Sequence, residues 1–182
     1  MKLDLRKVLT FGLQFLPFFA LFVWIYLLVL PVYQPVVLGV ANAVTERLDP
    51  RTHIELTDKD GWQLYRVYPH GAKRKVKHWT DAVPPLIFLS LAMLPALLLA
   101  TPIPFTKRLR LAGLGLLLLF PIHVFSIIGV MRGVLCLHAE KGTFHCLWLL
   151  RISYTSGQLF SAVLWGLLTW RYWLPGPQKP PS

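Results

Sequence analysis

The sequence predicts an all-α polytopic membrane protein of about four transmembrane helices, with a small outer β-hairpin insert between the first and second. Three observations lead there. Residues 84–133 hold two apolar runs, each about the ~20 residues needed to cross a ~30 Å hydrocarbon core, joined by the short basic turn FTKRLRL. Neither run shows the polar face that a soluble core helix of that length would keep. Hydrophobic residues make up 55% of the 182 positions, and mean hydropathy is +0.54, too apolar for an ordinary soluble domain.

Residues 1–32 form a basic leader (Lys2, Arg6, Lys7) followed by a first apolar span from Val8 to Val32. Ala41-Asn42-Ala43 resembles a signal-peptidase site, but signal-peptide apolar cores are only about 7–15 residues long, so the reading is a retained signal anchor. Pro17 should kink this helix. Phe11, Phe15, Phe18 and Phe22 share one of its faces, as a packing or lipid-facing stripe rather than a ligand box.

Residues 33–83 form the insert, placed outside. Pro31 and Pro35 end the first span, and Val36–Leu48 reads as a short amphipathic helix at the interface, with Asn42 on its polar face. From Arg51 to Tyr68 alternating apolar and polar residues flank Asp58-Lys59-Asp60-Gly61, the signature of a β-hairpin with an Asp-Gly turn. The Asp58-x-Asp60-Gly61 cluster resembles a calcium loop but lacks its remaining ligands and closing Glu, so no metal is expected. Lys73, Arg74, Lys75 and Lys77 could contact anionic headgroups or an acidic peptide, or stand as a solvated run before membrane entry.

Residues 84–170 form the remaining bundle: a second span at 84–100 with Pro95 inside, a third at 111–131 with Pro121 and His123 inside, and a fourth at 147–170. Residues 171–182 form a Pro-rich tail of disordered type.

The net charge of +11 would point to nucleic acid in a soluble protein. Here the cations flank apolar spans, where they meet headgroups and set topology, so the expected partner is the lipid bilayer and not nucleic acid. With the N-terminus inside, inner segments carry 8 Lys and Arg and outer ones 11. That count favours the reverse orientation. The leader and the 101–110 turn are, however, compact clusters directly against apolar spans, and the flanks of a first helix usually dominate. Both termini are therefore placed in the cytoplasm of a bacterium, with the protein in its inner membrane.

Cys136 and Cys146 flank LHAEKGTFH. Three readings stand: a disulfide, two free thiols, or a Cys/His metal site with His138 and His145. The spacing lacks the usual C-x₂₋₄-C pair, which disfavours a metal. Gly129 and Gly133 in the third span, and Ser153, Gly157 and Ser161 in the fourth, form small faces at the same depth. Such faces let helix backbones approach closely, so the third and fourth spans should meet near the outer surface. His123 is the one deep ionisable residue. Gln158 or Ser161 could pair with it, and a neutral, hydrogen-bonded structural role is favoured over a catalytic base.

The Pro-led span ending in Leu94–Pro102 (LPALLLATP), the basic turn and Leu111–Phe120 (LAGLGLLLLF) resemble, with the leader and insert, the small membrane proteins associated with exosortases, in particular those accompanying exosortase H. The resemblance covers most of the chain in architecture and rests on hydrophobic motifs. It implies an accessory beside an intramembrane cysteine transpeptidase that sorts proteins by C-terminal signals, and it supplies no cofactor. Exosortases place their Cys in a Cys-small-Gly type motif. Here Cys136 precedes Leu137-His138 and Cys146 precedes Leu147-Trp148, so no catalytic residue carries over. The expected function is a non-enzymatic accessory to an exosortase-like partner. The alternatives are an intramembrane thiol enzyme, with Cys136 or Cys146 activated by His138, His145 or His123, and a small transporter or lipid-binding protein.

Overall fold

The computed structural model describes residues 5–50, 52–57, 61–67, 73–75, 85–139 and 144–173. Their order is α1 (Leu5–Leu48), β1 (Thr52–Thr57), β2 (Gly61–Val67), β3 (Lys73–Lys75), a 3₁₀ turn (Pro85–Leu89), α2 (Ser90–Ala100), α3 (Phe105–Ala139) and α4 (Phe144–Trp173).

The four-span expectation needs correction. Among the described residues only two helices are long and apolar enough to cross a membrane, within Leu9–Leu48 and Phe105–Leu137. The second expected span is an eleven-residue helix behind a 3₁₀ turn. At ~1.5 Å per residue it is about 17 Å long, far short of a ~30 Å core. It is instead an inner helix, with Leu94, Ala96, Leu98 and Ala100 fully buried. For the fourth expected span, the described residues give a shorter apolar helical stretch, Leu159–Arg171.

The separate interfacial helix at Val36–Leu48 is also corrected. Pro31 and Pro35 lie inside α1, which runs unbroken for 44 residues. A proline in a helix interior costs ~3 kcal/mol or more. Beyond the two prolines, however, Val37 and Ala41 are fully buried and Leu38 nearly so, in one cluster with Ile87, Phe88, Ile127 and Met131. Burying such side chains yields about 1.5–3 kcal/mol each for the larger ones, enough to hold the helix through the break. Asn42 follows the same face inward: it is buried at 8% exposure, not on a polar outer face.

The insert is a three-stranded antiparallel sheet in the order β1-β2-β3. Ile54 pairs with Leu64 and Leu56 with Trp62, then Arg66 pairs with Arg74. The third strand supplements the expected two-stranded pairing; a lone hairpin is marginal in water. Residues 58–60, the expected turn, lie outside the described residues.

Contacts at the two ends fix the directions of the helices. Phe11 of α1 meets Trp165 and Trp173 of α4, at ring-centroid distances of 5.5 and 5.7 Å. Trp165 Nε1 donates to Thr101 Oγ1 at 2.9 Å, in the α2–α3 turn. One end of the bundle therefore gathers the start of α1, the α2–α3 turn and the end of α4. At the other end α3 passes into α4, and Thr45 of α1 reaches Met131 of α3. Successive helices run antiparallel.

Candidate functional site

His123 of α3 is a fully buried polar group. Its neighbours come from two other elements. Tyr33 of α1 lies 2.8 Å from Nδ1, and Ser90, the first residue of α2, lies 2.6 Å from Nε2. Ser90 Oγ also reaches the Ile87 carbonyl at 3.5 Å. One proton placement gives every polar hydrogen an acceptor: the Tyr33 hydroxyl donates to Nδ1, Nε2–H donates to Ser90, and Ser90 donates to Ile87. In that placement the imidazole donates to the serine and does not draw its proton away. Ser90 is 1% exposed, so no substrate reaches it as it stands. Phe88 closes one side of the ring at 5.1 Å and Tyr33 another at 5.7 Å, both edge-on. A buried, unpaired imidazole nitrogen would cost about 1–3 kcal/mol, which explains why both are taken.

Of the partners weighed from sequence, Ser161 is fully buried in α4, and the side chain of Gln158 lies outside the described residues. Tyr33 and Ser90 could have been noticed as isolated hydroxyls in otherwise apolar stretches. Their separations of 90 and 33 residues from His123 give no local spacing signal.

A second structure-bearing feature is the α3–α4 seam. Ser126 bonds Ser156 at 2.8 Å. A methyl built on Gly129 would collide with the Ser153 side chain, and one on Gly133 would meet the Leu150 backbone nitrogen at 3.0 Å. Cys136 and Cys146 are joined in a disulfide with Cα atoms 5.5 Å apart. The residue numbers in these four pairs add to nearly the same value, as expected where two antiparallel helices run side by side. On α3 the contact positions advance by 3, 4 and 3, the stagger of a close-packed helical seam. Both sulfurs are committed, so neither is available as a nucleophile in this state. The side chain of His138, the surroundings of Gly157 and the position of Lys77 lie outside the described residues. His145 is exposed beside Phe144, while Lys73, Arg74 and Lys75 form β3 at the sheet edge.

Charged groups frame the apolar part of the bundle. Arg108 donates to the Leu99 carbonyl at 2.6 Å and to the Ile103 carbonyl. It thus closes the C-terminal end of α2, whose last carbonyls have no helical partner. Arg110 and Arg132 are exposed, and the helical rise from one to the other is about 33 Å, close to a hydrocarbon thickness. Arg151 is exposed as well, next to the Leu150 that meets Gly133, so it shares the depth of Arg132.

Beside Tyr33 is a cavity of about 280 Å³ between α1, α2 and α3, lined by Phe22, Ile25, Tyr26, Val29, Tyr33, Leu91, Pro95 and Leu116. Its mouth lies at Val29 and Leu116, which are 45% and 38% exposed.

Comparison with family models, with curated proteins and with solved structures returns no match.

Proposed function

We propose that this chain is a non-enzymatic integral membrane protein of the bacterial inner membrane, serving as an accessory to a larger membrane protein. The observation that carries the proposal is the closed Tyr33–His123–Ser90 chain. It ties α1, α2 and α3 together at mid-depth and spends both imidazole nitrogens on hydrogen bonds within the fold. That is how a scaffold uses a buried histidine, whereas a general base keeps one nitrogen facing its substrate.

Membrane embedding is supported by the outward surface of α1, where Leu13, Leu16, Trp24, Leu28 and Val32 are all exposed at 60% or more. Apolar area on that scale is stable against lipid and a liability in water. The orientation we propose puts the disulfide on the oxidising outer side, because cytoplasmic thiols are normally kept reduced. The antiparallel bundle then brings the N-terminus, the basic α2–α3 turn and the end of α4 to the cytoplasmic side. The disulfide thus favours the compact basic clusters over the raw charge count.

The partner class we propose is an exosortase-type transpeptidase, on the resemblance carried by Leu94–Pro102 and Leu111–Phe120. Purification from native membranes in mild detergent tests this. The expected result is stoichiometric recovery of an exosortase-type multispanning protein. Recovery of the chain alone from membranes that contain such a protein would refute the accessory role.

A further inference from the structure

We propose that the cavity between α1, α2 and α3 binds one acyl chain of a membrane phospholipid, which enters side-on between Val29 and Leu116. This rests on the membrane-embedded reading above. Four features of the site support it.

The first is the wall, which is almost wholly carbon: rings from Phe22, Tyr26 and Tyr33, and aliphatic groups from Ile25, Val29, Leu91, Pro95 and Leu116. Tyr33 lines the cavity with its ring while its hydroxyl is spent on His123. Ordered water needs two to four polar partners, and this wall does not provide them. No charged residue lines the cavity, so a headgroup stays outside and only hydrocarbon fits.

The second is the local character of the gap. One residue before Leu116, a methyl on Gly115 would come within 2.7 Å of Leu94 Cδ2 and 3.5 Å of Leu98 Cδ1. The same two helices are thus in close contact at Gly115, while Leu116 of α3 and Leu91 and Pro95 of α2 line the neighbouring cavity. Loose assembly of the whole bundle would open both places.

The third is the surroundings of the mouth. Leu28 and Val32 on α1 and Leu117 on α3 are exposed at 60%, 70% and 71%. In a bilayer these residues touch acyl chains, so a chain slides from bulk lipid into the cavity without crossing a polar barrier. Leu116 lies six residues beyond Arg110, about 9 Å into the apolar layer, a depth that acyl chains occupy and headgroups do not.

The fourth is the consequence of filling. Tyr33 is the wall shared by the cavity and the His123 chain, so a bound acyl chain braces the ring that orients the imidazole. The lipid would then be a structural part of the α1–α2–α3 junction.

The test uses the full chain reconstituted in phosphatidylcholine vesicles containing phosphatidylcholine with a mid-chain diazirine, irradiated and mapped by peptide mass spectrometry. Labelling should concentrate on Phe22, Ile25, Val29 and Leu116 relative to Leu13 and Leu167 on the open lipid-facing surface. Either Leu116→Trp or Val29→Trp should reduce the cavity labels several-fold and leave those at Leu13 and Leu167 unchanged. An excess of free fatty acid should not compete; if it does, the occupant is a free acid and not a phospholipid chain. Labels spread evenly over exposed positions and indifferent to both variants would overturn the site while sparing the membrane reading. No label anywhere, Leu13 and Leu167 included, would overturn both.

Discussion

Two glycines of α3 should respond to the same substitution with opposite signs. A methyl at Gly133 would sit 3.0–3.1 Å from the nitrogen, Cα and Cβ of Leu150, against an optimum of about 3.5–4.0 Å for carbon contacts. Two of those three atoms are backbone, so α4 as a whole must retreat by about half an ångström. The disulfide three residues further along resists that movement. Overpacking of this kind costs about 1–3 kcal/mol, and the better helix propensity of alanine returns at most about 1 kcal/mol. Gly133→Ala should therefore be destabilising by about 1–2 kcal/mol. At Gly113 a methyl would meet nothing within 4 Å. There only the propensity term remains, and Gly113→Ala should stabilise by about 0.5–1 kcal/mol. Reversible unfolding in a fixed detergent mixture, followed by circular dichroism, measures both. Reducing the disulfide should soften the Gly133→Ala penalty, because α4 is then free to move. Equal stabilisation by the two variants would refute the close seam.

Further expectations concern the polar interior and the turn. Ser90→Ala should cost about 1–3 kcal/mol by stranding the imidazole N–H, and Tyr33→Phe a similar amount by stranding Nδ1. A double-mutant cycle between them should be non-additive, since they act through one ring. Cys136→Ser with Cys146→Ser should lower stability by about 3 kcal/mol, from the loop-closure entropy of a ten-residue separation. Arg108→Gln should loosen the α2–α3 turn and cost about 1–2 kcal/mol by uncapping the Leu99 and Ile103 carbonyls. Limited proteolysis at that turn, compared with the parent protein, reports the last effect.

What the sequence conveyed and what it hid divide along the range of the interaction. Gly129 and Gly133 are conspicuous by spacing alone, and the structure sets them against Ser153 and Leu150. Of the phenylalanine stripe, Phe11 and Phe15 stack at 6.2 Å, but Phe15 then stacks at 5.4 Å on Phe19, which that stripe did not include. Counting spans by apolar composition went astray because composition does not separate a helix facing lipid from one enclosed by other helices. Most residues of α2 are buried inside the bundle, whereas α1 is mostly exposed. Proline was read as a stop at Pro31 and Pro35, yet the buried face at Val37, Leu38 and Ala41 carries α1 onward. The partners of His123 come from α1 and α2, brought together only by the complete bundle. Arg108 illustrates a different difficulty: it reads as a topology charge, and its guanidinium also closes a helix end.

The proposed orientation turns on which side of the membrane the Cys136–Cys146 disulfide lies. Intact spheroplasts can be treated with an impermeant maleimide–polyethylene glycol before and after an impermeant phosphine reductant, with the mass shift read on a gel. In the proposed orientation the paired Cys136 and Cys146 lie on the outer side, so no shift is expected without reductant and two added adducts with it. Adducts without reductant, or adducts that form only after the membrane is broken, would contradict it.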